Sequence, residues 1–142
     1  MQRVLVIEDN KDNLRLITYA LQWGGYEVIH AETGEEGVET AIRERPFFII
    51  MDIDLPGIDG IEATKRIRSS KADGTIPIIA MTSYAMMGDR ERILSAGCNG
   101  YIEKPIDPLT VMERIHDILK SLGSGRQGPG SSGGKNESSG CR

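Results

Sequence analysis

The sequence has little of what secreted, membrane-spanning or nucleic-acid-binding proteins usually carry. Its only two cysteines, Cys98 and Cys141, are too few for a disulfide framework, which favours a protein of the reducing cytosol. No apolar run approaches the roughly 20 residues that span a bilayer, and the chain runs from Met1 almost directly into a strand, without a signal peptide. The 17 basic and 21 acidic residues give a net charge of −4 with no basic stripe. Neither nucleic acid nor a membrane is therefore expected as a partner, and a cytoplasmic location is expected.

Apolar strands alternate with amphipathic helices five times along the chain. The pattern predicts strands over 3–7, 26–31, 47–52, 76–81 and 100–103, and helices over 11–23, 34–44, 58–70, 85–96 and 108–122. Strands that alternate with helices form a parallel sheet through right-handed crossovers, so the sequence predicts an α/β fold.

The composition changes abruptly after Leu122. The last 20 residues contain seven Gly and five Ser and no large apolar residue, so they cannot form a core of their own. We therefore predict a single domain over 1–122 and a flexible, disordered tail over 123–142.

Residues suited to phosphoryl chemistry follow the predicted strands. Asp52 ends the apolar third strand, Glu8 and Asp9 follow the first, Thr82 comes directly at the end of the fourth, after Met81, and Lys104 follows the fifth. The carboxyl ends of parallel strands lie at one edge of a sheet, where open α/β folds place their sites. Clustered carboxylates repel unless a cation or proton lies among them, and Mg²⁺ suits such a group. A carboxylate can itself accept a phosphoryl group, to which a hydroxyl and an ammonium can bind.

Each of these residue types also has an ordinary structural interpretation. Paired acids after a strand often cap the next helix, and a Thr in a strand is usually only a β-branched residue. A Lys before Pro is usually a solvated surface charge. The joint occurrence of all of them at strand ends is what favours a metal-assisted phosphoryl site.

Four segments of the chain resemble the receiver domain of two-component response regulators. They are Val6-Ile7-Glu8-Asp9-Asn10, Met51-Asp52-Ile53-Asp54-Leu55-Pro56-Gly57-Ile58-Asp59-Gly60, Met81-Thr82-Ser83 and Tyr101-Ile102-Glu103-Lys104-Pro105. The resemblance covers residues 2–122. It implies a flavodoxin-like (βα)5 fold, with a doubly wound five-stranded parallel sheet in the strand order 2-1-3-4-5. It also implies a cis Lys104-Pro105 bond.

The resemblance implies a role for each acid at the strand ends. Asp52 would accept a phosphoryl group from a histidine kinase or a histidine phosphotransfer domain. Asp9, Asp52 and the backbone carbonyl of Asp54 would bind Mg²⁺, with Glu8 acting through water. Such a protein is a phosphoacceptor with self-catalysed phosphotransfer and slow autodephosphorylation, not an enzyme in the ordinary sense.

The remaining roles concern the phosphoryl group after transfer. Thr82 and Lys104 would contact it, and Tyr101 would turn inward on activation, changing the surface formed by the last two predicted helices and the fifth strand. Asp54 and Tyr84 would influence how fast water removes the phosphate, with Tyr84 favoured as a shield.

Finer features resemble receivers of hybrid histidine kinases and DivK-like single-domain regulators, notably the segments 8–13 and 82–89. Nothing after Leu122 has the composition of an output domain, so we expect a stand-alone receiver that signals through a downstream protein partner. A receiver excised from a hybrid histidine kinase is an alternative. Another is a haloacid-dehalogenase-like phosphatase, in which Asp52 would be the nucleophile and Asp54 an acid; Glu8 and Asp9 would then have no role.

Overall fold

The computed structural model describes residues 2–70, 75–83 and 87–127, along which strands and helices alternate. The strands are β1 (Arg3–Ile7), β2 (Glu27–Ala31), β3 (Ile49–Asp52), β4 (Ile78–Thr82) and β5 (Gly100–Glu103). The helices are α1 (Lys11–Trp23), α2 (Gly34–Glu44), α3 (Gly60–Ser69), α4 (Met87–Ala96) and α5 (Val111–Gln127).

The five strands form one parallel sheet in the order β2-β1-β3-β4-β5. The chain therefore winds outward first in one direction, through β2, and then in the other, through β3 to β5. This confirms the predicted flavodoxin-like (βα)5 fold with strand order 2-1-3-4-5. In such a sheet β1 and β3 are the neighbours at which the direction of winding changes, and the crevice between their carboxyl ends is the expected site.

Alternating strand residues supply two buried layers, one on each face of the sheet. Val4, Val6 and Ile50 pack with residues of α1 and α5, whereas Leu5 and Ile7 pack with residues of α2, α3 and α4. Because both faces are covered, β3 and β4 are apolar up to their last residues, and every residue of the two strands is buried. The few polar residues at their ends are therefore the exceptions that need an explanation.

Two helices begin later than the sequence predicted, for local reasons. The Asp59 side chain accepts a hydrogen bond from the Glu62 amide at 2.9 Å, so α3 begins at Gly60 and not at residue 58. The Asp107 carboxylate accepts from the Leu109 amide at 2.9 Å, and residues 108–110 form a turn before α5. The predicted bounds of β5 agree with the structure.

The end of α5 differs from the prediction, since the helix continues past Leu122 to Gln127. Residues 128–142 lie outside the described residues, so the flexible tail stays a prediction. Tyr84, the predicted shield of the phosphate, also lies outside them. In the parts of the chain that are described, no helix has both the length and the apolarity to cross a bilayer.

Candidate functional site

The carboxyl edge of the sheet gathers the polar residues that follow the strands. Asp52 is the last residue of β3 and Thr82 the last of β4, and both are buried. Glu8 and Lys104 come directly after β1 and β5. The Lys104 amide donates to the carbonyl oxygen of Thr82 at 2.9 Å, which continues the β4–β5 pairing one residue further. The loop after β5 thereby directs its lysine towards β3.

Asp52 and Lys104 form a short, largely buried ion pair. The Lys104 Nζ atom lies 2.8 Å from Asp52 Oδ1, and the two side chains are 13% and 2% exposed. The same Oδ1 accepts a hydrogen bond from the Asp54 amide at 3.1 Å. Burial alone would lower the pKa of Lys104, but the hydrogen bond to Asp52 and the surrounding carboxylates raise it above its ordinary value. Lys104 therefore keeps its positive charge beside the side chain of Asp52.

Glu8 is a buried carboxyl group with incomplete hydrogen bonding. Its Oε2 accepts from the Asn10 amide at 3.1 Å, while Oε1 lies 3.8 Å from Lys104 Nζ and has no protein hydrogen-bond partner. Burial, followed by a hydrogen bond to Asp52 and repulsion by its charge, raises the pKa of Glu8 to about 7, against the lowering effects of Asn10 and Lys104. Ionised carboxylates only accept hydrogen bonds, so a bond between Glu8 and Asp52 requires a proton on one of the two groups.

Glu8, Asp9 and Asp52 form a cluster of possible metal ligands. Each offers a carboxylate oxygen within 4.8 Å of the others, and Asp9 is exposed where the other two are buried. Oxygen donors of this kind, with room for water on one side, suit Mg²⁺. The Oε1 atom of Glu8, which has no protein hydrogen-bond partner, also fits a metal site, because a nearby cation would offset the free-energy cost of burying a carboxylate. The predicted contribution of Asp54, through its backbone carbonyl, stays a prediction.

Thr82 and Tyr101 lie on the neighbouring strands β4 and β5. Beside Thr82 lies a small cavity of about 90 Å³, lined also by Asp54 and by Ile93 of α4. Tyr101 lies two residues before Glu103, the register partner of Thr82, and its ring is partly buried. The predicted cis peptide bond between Lys104 and Pro105 is confirmed.

Sequence reasoning missed two sets of contacts around these residues. His30 lies beside the metal cluster, with its Nε2 atom 3.0 Å from the carbonyl oxygen of Glu8. The parallel pairing of the first two strands was the signal that could have found it, since it brings their ends together. Arg90 and Arg114 both lie over the ring of Tyr101. No sequence spacing indicates that contact, because the three residues come from three different elements.

Comparisons with known proteins agree with this geometry. Residues 4–116 match the family model described as the response regulator receiver domain. The polar-differentiation response regulator DivK of Brucella anthropi is 40% identical over 116 residues, covering 82% of this chain and 94% of DivK.

Two solved structures share the fold. The chemotaxis response regulator CheY4 of Vibrio cholerae is 28% identical with a TM-score of 0.79, covering 84% of this chain and 99% of that one. The receiver domain of sensor histidine kinase PA1611 from Pseudomonas aeruginosa PAO1 is 38% identical with a TM-score of 0.75, covering 87% of this chain and 98% of that one. The PA1611 structure has a magnesium ion coordinated in its active site cleft.

Proposed function

This chain belongs to the response regulator receiver domain family, and from that premise we propose that Asp52 accepts a phosphoryl group from a phosphohistidine. The donor would be a histidine kinase or a histidine phosphotransfer domain. The phosphorylated protein would then bind a downstream protein through a changed surface. The observation that carries the proposal is the position of Asp52, a buried carboxylate paired with Lys104 at 2.8 Å beside two further acids.

The chemistry of the transfer follows from the groups around Asp52. A carboxylate oxygen of Asp52 attacks phosphorus, the bond from phosphorus to the donor imidazole breaks, and an acyl phosphate forms. Lys104 keeps its proton, since its pKa is raised, and binds a phosphoryl oxygen as a point charge. Thr82, buried at the end of β4, offers a hydroxyl to another oxygen. A carboxylate nucleophile needs no general base to activate it.

We further propose that the acid cluster binds Mg²⁺. Asp9, Asp52 and the backbone carbonyl of Asp54 would hold the ion directly, and Glu8 through water. The magnesium ion reported for the PA1611 receiver domain supports this proposal. When bound, the metal neutralises charge on the incoming phosphoryl group. Asp9 is the exposed member of the cluster, so the ion would be reached from solvent on its side.

Phosphorylation would act on the surface through Thr82 and Tyr101. It adds roughly −1.5 to −2 charges and strong acceptor oxygens beside Thr82. As the hydroxyl moves towards them, the ring of Tyr101 turns inward into the space that it leaves. The change shifts an equilibrium that exists before phosphorylation. The roles of Asp54 and Tyr84 in the lifetime of the phosphate belong to the same proposal.

The decisive experiment is incubation with acetyl phosphate and Mg²⁺, followed by intact-mass measurement. Wild type is expected to gain the mass of one phosphoryl group, and Asp52→Asn none. Asp59→Asn is the matched control, because Asn caps a helix as well as Asp and α3 should be unchanged. Equal labelling of Asp52→Asn would refute the assignment. Steady hydrolysis of a phosphomonoester substrate would instead favour the haloacid-dehalogenase-like alternative.

A further inference from the structure

Tyr101 lies on β5, the last strand of the sheet, between helices that pack on opposite faces. Its ring belongs to the layer that contains Ile93 of α4, whereas its neighbour Ile102 belongs to the layer that contains Ile115 of α5. Because β5 is an edge strand, side chains from both helices can reach the Tyr101 ring around the edge.

Two arginines do reach it. The guanidinium carbon of Arg90, on α4, lies 5.6 Å from the ring centroid of Tyr101, and that of Arg114, on α5, lies at the same distance. Arg114 also donates from its Nη2 atom to the carbonyl oxygen of Tyr101 at 3.4 Å. The two distances from guanidinium carbon to ring centroid are within the range in which a cation is attracted by the face of an aromatic ring.

These contacts exist only while the ring stays at the edge of the sheet. Two guanidinium groups beside one ring are like charges that repel, and the ring offsets part of that repulsion. If the ring turned inward, both cations would lose their aromatic partner. Each arginine therefore stabilises the orientation in which Tyr101 is partly exposed.

We propose that Arg90 and Arg114 are positioning residues that clamp Tyr101 in its outward orientation and so set how rarely the ring turns inward before phosphorylation. The inference rests on the proposed function of Tyr101 as the switch residue. The orientation of the ring, however, can be measured without any phosphate. Because Arg90 belongs to α4 and Arg114 to α5, the orientation of Tyr101 before phosphorylation depends on both helices.

The test is the rotamer population of Tyr101 in the unphosphorylated protein, measured by NMR on ring-labelled tyrosine. The chain has only four tyrosines, and Tyr101→Phe identifies the signal. Arg90→Gln and Arg114→Gln should each raise the inward population about two- to fivefold, because each removes one exposed cation–π contact. Arg90→Lys and Arg114→Lys should restore most of the wild-type population.

Arg92→Gln is the matched control on α4. Arg92 is an exposed arginine two residues from Arg90, but it pairs with Asp89 at 3.7 Å. Arg92→Gln should leave the rotamer population of Tyr101 unchanged. The proposal would be overturned if neither Arg90→Gln nor Arg114→Gln changed the inward population of Tyr101. It would also be overturned if Arg92→Gln had an equal effect, or if the lysine variants failed to restore the wild-type population.

Phosphorylation by acetyl phosphate separates this inference from the proposed function. If the inward state accepts phosphate faster, the clamp variants should be labelled faster by the same factor as their inward population rises. A wild-type protein that takes up no phosphate would refute the proposed function. The ring measurement would still decide whether the two arginines hold Tyr101.

Discussion

Replacing Glu8 with Gln is expected to remove a pH dependence of stability that the wild-type carboxyl group imposes. Glu8 is only 1% exposed, and its Oε1 atom has no protein hydrogen-bond partner. Gln has nearly the same shape, carries no charge at any pH, and offers Asp52 a hydrogen-bond donor. The variant therefore imitates the protonated form of Glu8 permanently.

The sign and size of the effect follow from the shift in pKa. The pKa of Glu8 rises from 4.5 to about 7 on folding. The folded protein thus binds this proton more tightly than the unfolded chain does, and the resulting stability is present in full below pH 4.5 and lost as the pH rises through 7. Between pH 5 and pH 8 this single group costs the wild type about 2–3 kcal/mol of unfolding free energy.

The assay is urea denaturation at pH 5 and at pH 8, with EDTA present to remove divalent cations. The free energy of unfolding of Glu8→Gln minus that of wild type should increase by about 2–3 kcal/mol between the two pH values. Mg²⁺ at pH 8 should then stabilise wild type more than the variant, since a cation can take over the role of the proton.

The control is Glu91→Gln, which removes one carboxylate from the exposed surface of α4. Its difference from wild type should stay nearly constant over the same pH range. Parallel pH profiles for wild type and Glu8→Gln would refute the reasoning, because they would mean that Glu8 is already ionised in the folded protein at pH 5.

Three further predictions concern the metal and the supports of the site. Asp9→Asn should weaken Mg²⁺ binding about tenfold or more in isothermal titration calorimetry, because an exposed carboxylate ligand is lost. Gly60→Ala should lower the unfolding free energy by about 1–3 kcal/mol, since its methyl group would overlap the backbone at the end of β3, whereas Gly88→Ala meets no neighbour and should be neutral or stabilising. Arg68→Ala should cost about 2–3 kcal/mol in urea denaturation, because it removes hydrogen bonds to two backbone carbonyls and a side-chain amide. Arg66→Ala should cost at most about 0.5 kcal/mol, because it loses only an exposed ion pair.

The fold could be predicted because its signals are local and repeated. Each central strand is a run of apolar residues of strand length, and α1, α2, α3 and α5 place their apolar residues mainly on one face. The starts of α3 and α5 were harder, because they depend on single hydrogen bonds, from Glu62 to Asp59 and from Leu109 to Asp107. The sequence allowed these turns but did not distinguish them from a first turn of helix.

The candidate site was predictable to the extent that topology alone brings residues together. Parallel strands put Glu8, Asp52 and Lys104 at one edge, and the structure brings both carboxyl groups within ion-pairing distance of Lys104 Nζ. The raised pKa of Glu8 could not be predicted from the sequence, since it depends on burial and on the nearness of Asp52. The contacts of Arg90 and Arg114 with Tyr101 depend in the same way on side-chain reach around a sheet edge.

The charges at this edge explain why one site can hold a proton, a cation or a phosphoryl group. The cluster has three carboxyl groups, those of Glu8, Asp9 and Asp52, against the single positive charge of Lys104. Two of these acids are buried. Without a cation, Glu8 reduces the excess, because its pKa of about 7 lets it hold a proton to a higher pH than an ordinary carboxyl group does. With a divalent cation beside the cluster, Glu8 can ionise, and the site becomes able to tolerate the added negative charge of a phosphoryl group on Asp52. Cation binding should therefore release protons near pH 7 in wild type and fewer in Glu8→Gln, a difference that titration in buffers of different ionisation enthalpy measures directly. Equal proton release from both proteins would show that another group is the one that loses its proton.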